Sequence, residues 1–153
     1  MKKVSRISIY AAIMVLFIFV LIHALGVGIQ TYNVAAGLWE PAVDWAQHGG
    51  LKMAIVGGRA LSMVALLVLF AIFVGNIFRS TSGPFVKANS ALLFWSLVPY
   101  VIYAFCESNF GIINGIRYIQ VDTQAILGGG FLLLIAFIYG RATLLAEEND
   151  LTI

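Results

Sequence analysis

Charge is what this sequence has least of. Only 10% of its residues are Asp, Glu, Lys or Arg, where soluble domains carry about 25%. A surface so poor in charge does not suit water, so an ordinary soluble globular protein is excluded. The net charge of +2 is too small to argue for a nucleic-acid partner. One cysteine, Cys106, permits no intrachain disulfide and offers no paired thiols for zinc. The sequence contains no phosphate-binding Walker loop, no dinucleotide fingerprint and no nucleophile elbow around any serine. The common nucleotide-dependent and hydrolytic enzyme classes therefore have no foothold, and the expectation is a non-enzymatic protein without a cofactor.

What fills the 153 residues instead is hydrocarbon: 61% are hydrophobic. A bilayer core about 30 Å thick is crossed by about 20 helical residues. Four stretches meet or approach that length: Ile7–Ile29, Ala60–Phe78, Ala91–Cys106 with Ser90 and Glu107 as its ends, and Ala125–Ala146. Each is a continuous apolar run rather than the alternating pattern of a barrel strand. Inside lipid the backbone must satisfy its own hydrogen bonds, so each run is expected to be a helix. The predicted fold is all-α, a single four-helix transmembrane bundle. Lys2, Lys3 and Arg6 give the first run a basic start, as in a signal peptide. The run exceeds the usual signal core of about 7–15 residues, however, and only Gly26-Val27-Gly28 resembles a cleavage site. It is expected to stay as an anchor.

The few charges then set orientation. Lys2, Lys3, Arg6, Arg79, Lys87 and Arg141 fall on one side of a four-span chain, and Lys52, Arg59 and Arg117 on the other, six against three. Basic residues in short loops favour the cytoplasm, which puts both termini and the 79–90 loop inside a cell membrane. The first outer loop, about Gln30 to Arg59, is the longest, and within it Leu38–His48 has helical periodicity. Glu40, Asp44, Gln47 and His48 form one polar stripe, while Leu38, Ala42, Trp45 and Ala46 lie opposite. Pro41 suits a first turn, and Trp39 and Trp45 suit the headgroup layer, so a short interfacial helix is expected there. Glu40, Asp44 and His48 share donor types with metal sites, but a solvated polar stripe accounts for them without a metal.

Within the spans, Ala54, Gly58 and Ser62 lie four apart, as do Ala24 and Gly28, Ala71 and Gly75, and Ala136 and Gly140. Small residues at this spacing let helix backbones approach, within one chain or in a homodimer. Pro99 is expected to kink the third span. Gly128-Gly129-Gly130 is expected either to loosen the fourth or to admit a neighbour closely. His23 is expected to reach the interface or to bond another helix. Arg59, at an expected span boundary, reads as a snorkelling anchor that can pair with Glu107 or Asp122.

Two segments carry a family resemblance. The inner loop reads Gly83-Pro84-Phe85 with Asn89 four residues after the Phe, and the tail reads Glu147-Glu148-Asn149-Asp150-Leu151-Thr152-Ile153. With four spans in this length, the chain resembles the uncharacterised bacterial membrane-protein family called domain of unknown function 2975. That family usually has a Glu before the Asn, where this chain has Ala88. The resemblance implies no biochemical activity, but it does imply a neighbour, a small helix-turn-helix regulator. Gly83, Pro84, Phe85, Asn89, Glu147, Glu148, Leu151, Thr152 and Ile153 are accordingly the candidate interaction motif, facing a soluble partner from the cytoplasmic side. The tail acids are also placed to pair with Lys87 or Arg79. The leading expectation is a regulatory or interaction protein whose other surroundings are the lipid bilayer, with no direct nucleic-acid contact. A small transporter or channel, an immunity protein against a membrane-active peptide and, last, an enzyme using Glu40, Asp44 and His48 are the alternatives.

Overall fold

The computed structural model describes residues 3–38, 46, 49–80, 85–116 and 118–150. Among them there are helices and no strand: α1 Lys3–Ala35, α2 Gly49–Arg79, α3 Lys87–Trp95, α4 Leu97–Ser108, a 3-10 turn Phe110–Asn114, and α5 Thr123–Asp150. Four helical stretches are long and apolar enough to cross a membrane: Tyr10–Ala35, Gly49–Arg79, Lys87–Asn114 and Ala125–Glu148. The outward faces bear this out, for Leu61, Phe19 and Phe131 are all exposed. In water so much bare hydrocarbon would aggregate, whereas among acyl chains it is at home.

Local chemistry explains where the helices stop. α1 ends in a Schellman motif. Gly37 takes a positive φ of 69°, the Leu38 N–H donates to the Asn33 carbonyl (2.8 Å), and the Gly37 N–H donates to the Val34 carbonyl (3.3 Å). The third span breaks between α3 and α4 at Ser96. Pro99 has no N–H for the Trp95 carbonyl four residues back, and the Ser96 hydroxyl donates instead to the Leu93 carbonyl (2.6 Å). The helix is thus interrupted at Ser96, one turn upstream of Pro99.

α2 starts at Gly49, well before Ala60, and α1 runs on through residues 30–35, so the link between them is shorter than the sequence suggests. Of the surface helix expected over Leu38–His48, only Leu38 and Ala46 are described, and Glu40, Asp44 and His48 lie outside the described residues.

The helices are arranged as a row. α2 packs on α1 at one side and on α3 and α4 at the other, and α5 packs on α3 and α4. Among the described residues α1 and α5 do not pack on each other. Side-chain packing is tightest at one end of the bundle, where the 3-10 turn tucks in against α2 and α4. Val34, Val56 and Ile113 cluster there, as do Ile55, Cys106 and Ile112, with Phe110 against both groups. Glycine sets two of the close approaches. A Cβ at Gly58 would sit 2.8 Å from the Cys106 sulfur of α4, and a Cβ at Gly128 would overlap the Tyr100 hydroxyl. α5 stays helical through its three glycines, and two of them, Gly128 and Gly129, admit Tyr100.

Candidate functional site

Polar side chains are scarce in these helices, so the place where they gather is informative. α1 carries His23 and Gln30 seven residues apart on one face. α4 carries Tyr103 and Glu107 four apart, and α2 carries Arg59. These five come together at the tightly packed end. Arg59 is 3% exposed. Its Nε and Nη2 donate to the Glu107 carboxylate, and Nη2 also donates to Gln30 Oε1 (2.6 Å). Its Cζ stands 4.4 Å from the centre of the Phe110 ring, a cation–π contact. Nη1 is buried and makes no hydrogen bond among the described residues. Tyr103 lies against both Glu107 and Arg59, and its hydroxyl is hydrogen-bonded to His23 Nε2 (2.8 Å). The result is a chain of polar contacts from α1 through α4 and α2 and back to α1.

This corrects the reading of Arg59 as a snorkelling anchor. α2 begins ten residues before Arg59 and is 31 residues long, about 46 Å, so it overruns a core of about 30 Å at both ends. Arg59 is held inside the bundle, under the Phe110 ring and tied to Glu107 and Gln30. There, a partner costs less than a route to water. Glu107, one of the two partners foreseen, supplies the counter-charge. The signal in the sequence was the seven- and four-residue spacing of lone polar side chains on apolar helices.

Beside this cluster the helices border a partly open cavity of about 660 Å³ with walls from every span, among them Phe19 of α1, Leu66 and Phe70 of α2, Leu93 of α3 and Leu132 of α5. Its few polar edges are His23, Ser96, Tyr100, Tyr103 and Tyr139. All five are already hydrogen-bonded to protein. Ser96 donates to the Leu93 carbonyl, Tyr100 donates to the Ala125 carbonyl (3.2 Å), Tyr139 accepts from the Val86 N–H (3.0 Å), and His23 and Tyr103 bond each other. The interior therefore presents hydrocarbon and little else. A second, smaller pocket of about 360 Å³ shares Tyr100 and Tyr103 with it and is lined by Glu107, Ser108 and Asp122.

The described residues of the candidate interaction motif lie at the opposite end of the bundle. Asn89 is fully buried: its Oδ1 accepts from Asn76 Nδ2 (2.8 Å), and its Nδ2 donates to the Phe73 carbonyl (3.0 Å). Its amide is thereby spent on holding α3 to α2. Phe85 is half-exposed and packs on Tyr139, with ring centres 5.5 Å apart. Lys87 and Glu147 form an exposed ion pair at 3.7 Å, one of the pairings the tail acids suggested. Glu148 is exposed at the same end. Gly83, Pro84, Leu151, Thr152 and Ile153 lie outside the described residues. Comparison with family models, with curated proteins and with solved structures yields no match.

Proposed function

We propose that this chain is a non-enzymatic membrane protein that receives a lipid-like molecule in the cavity between its helices and reports its presence to a soluble partner. One observation carries the reading. A space of about 660 Å³, within the 300–1,000 Å³ usual for ligand pockets, is walled by all four spans, and its polar edges are already satisfied. Such a space favours hydrocarbon over water. α1 and α5 both line it without packing on each other, which leaves a lateral way in from the bilayer.

The test is binding of a neutral fluorescent polyene to the purified protein in nanodiscs. Leu66→Trp, which fills the cavity, is expected to abolish binding while the helical circular dichroism is retained. Equal binding by a well-folded Leu66→Trp variant would defeat the proposal.

The partner belongs to the same proposal and is placed at the Lys87–Glu147 end. It is a soluble cytoplasmic protein of the helix-turn-helix regulator class, as the resemblance in the inner loop and tail suggests. Its support is that Phe85, Lys87, Glu147 and Glu148 gather there with exposed surface. Capture by the intact protein but not by a form truncated after Ala146 is the expected result. The setting is a bacterial cytoplasmic membrane with both termini inside, supported by the six-to-three distribution of basic residues and by an even number of spans. A reporter fused to the carboxyl end would be active only in the cytoplasmic compartment.

A small transporter is the second reading. It is favoured by the two cavities meeting at Tyr100 and Tyr103 beside the polar chain from His23 to Arg59. Flux of a lipophilic substrate across liposomes that is lost in His23→Ala would favour it over simple binding.

A further inference from the structure

We infer that a groove between α3 and α5 holds an anionic phospholipid, its phosphate between Lys87 and Arg141 and an acyl chain along the aromatic side chains deeper in the spans. The groove has a volume of about 520 Å³ and is lined by α3 and α5 alone. It shares no lining residue with the large cavity, which uses other side chains of the same two helices. The inference is therefore independent of what that cavity binds and needs only that these helices span a bilayer. Polarity is sorted along the groove. Ser90 lies level with Gly140, where an added Cβ would stand 3.1 Å from the serine oxygen. Lys87 is one turn nearer the helix ends and meets Glu147, and Arg141 directly follows Gly140. Phe94, Trp95 and Phe137 lie a turn or more in the other direction, and all three are exposed.

In a bilayer the exposed aromatic stretch is covered by acyl chains in any case, so the groove's own contribution is the choice of head. That choice follows from the donors at its polar end. Arg141 is exposed and makes no ion pair among the described residues. The Ser90 hydroxyl, beside it, makes no hydrogen bond among them either. Lys87 has Glu147 at 3.7 Å, too far for a direct hydrogen bond, and its ammonium keeps donors for a second acceptor. α3 also begins at Lys87 without a side-chain cap, so the positive end of its dipole points to the same place. No Asp or Glu is among the described walls. A phosphodiester supplies the charge and the acceptor oxygens that these donors lack, and basic pockets between spanning helices suit lipid phosphates. A zwitterionic head would bring a second cation beside Lys87 and Arg141 and gain less.

Native mass spectrometry of the full-length protein in a mild non-ionic detergent tests this, with phosphatidylglycerol and phosphatidylcholine of the same acyl chains as the probes. Phosphatidylglycerol is expected to bind roughly tenfold more tightly, as two surface cations allow. Arg141→Gln is expected to remove most of that preference, and Lys87→Gln less, because Glu147 already engages the lysine. Arg141→Lys keeps the charge and is expected to restore much of it, which separates recognition from misfolding. Arg79→Gln removes an exposed cation at the end of α2, outside the groove, and is expected to change nothing. Glycerol phosphate, a head without chains, is expected not to displace the lipid at equal concentration. Equal binding of the two lipids by the wild-type protein would overturn the inference. So would an equal loss in Arg79→Gln and Arg141→Gln, which would mean general attraction to charge. Displacement by glycerol phosphate would overturn it in favour of a site for soluble anions.

Discussion

The protein carries an ion pair at each end, and the two have little in common beyond their chemistry. Arg59 and Glu107 join two spanning helices, with the guanidinium buried under an aromatic ring and held by a third helix through Gln30. Lys87 and Glu147 join two helices as well, but at 3.7 Å with the lysine side chain 78% exposed. In the first, the alternative to pairing is a buried guanidinium without a counter-charge. In the second, the alternative is water. The same bond is therefore structural at one end and nearly idle at the other, and its surroundings decide which.

The largest effect expected from breaking this contrast is at Glu107. Glu107→Ala strands a buried guanidinium without a counter-charge, a loss of about 3–5 kcal/mol when one partner of a buried pair is removed. Arg59→Met is expected to cost less, because the carboxylate it leaves behind is half-exposed and can reach water. Unfolding in mixed micelles should therefore rank wild type above Arg59→Met above Glu107→Ala. Equal losses would show that both charges are equally buried.

Asn89 offers a second buried polar site without any charge. Asn89→Leu leaves the Asn76 amide without its acceptor and removes the tie from α3 to the Phe73 carbonyl. A buried donor left unmade costs about 1–3 kcal/mol. The same micelle unfolding should resolve it, and the double variant Asn76→Leu with Asn89→Leu should recover part of the loss. No recovery would mean that Asn76 finds another partner.

How far the sequence foretells this molecule depends on what kind of fact is asked. The apolar runs specify four spans, because lipid admits little else, and Pro99 and Gly128 announce a break and a close approach by local sterics alone. The start of α2 was hidden: Lys52 and Arg59 lower the apolar character of residues 49–59, yet both are buried in the fold. The cavity was hidden for a deeper reason. It is a gap, fixed by how the row of helices is splayed, and no single helix encodes it. Asn89 stood out in the sequence as part of a motif, but a motif does not say whether its residues face a partner or the helix next door.

Close packing gives a third test, of about 1–3 kcal/mol for an overpacked contact. Gly128→Ala places a Cβ on the Tyr100 hydroxyl and should lower the unfolding midpoint, with Tyr100→Phe relieving the clash in the double variant. Gly28→Ala is the control, since a Cβ there meets nothing within 4 Å. It is expected to be silent in a monomer. A loss of stability at Gly28 that grows with protein concentration would reveal a second copy packed on α1.

The smallest effect belongs to Lys87 and Glu147. An exposed pair contributes about 0–1 kcal/mol, and salt screens it further. Glu147→Gln should leave the unfolding midpoint nearly unchanged, and the remaining difference should vanish as ionic strength rises. That near-silence is what makes the pair useful for testing the partner. Because the fold does not depend on it, a Glu147→Gln variant that keeps its stability but loses the captured soluble protein would assign the carboxylate to recognition. Retained capture would return it to the surface, leaving Arg59–Glu107 as the one of these two pairs whose charges the fold needs.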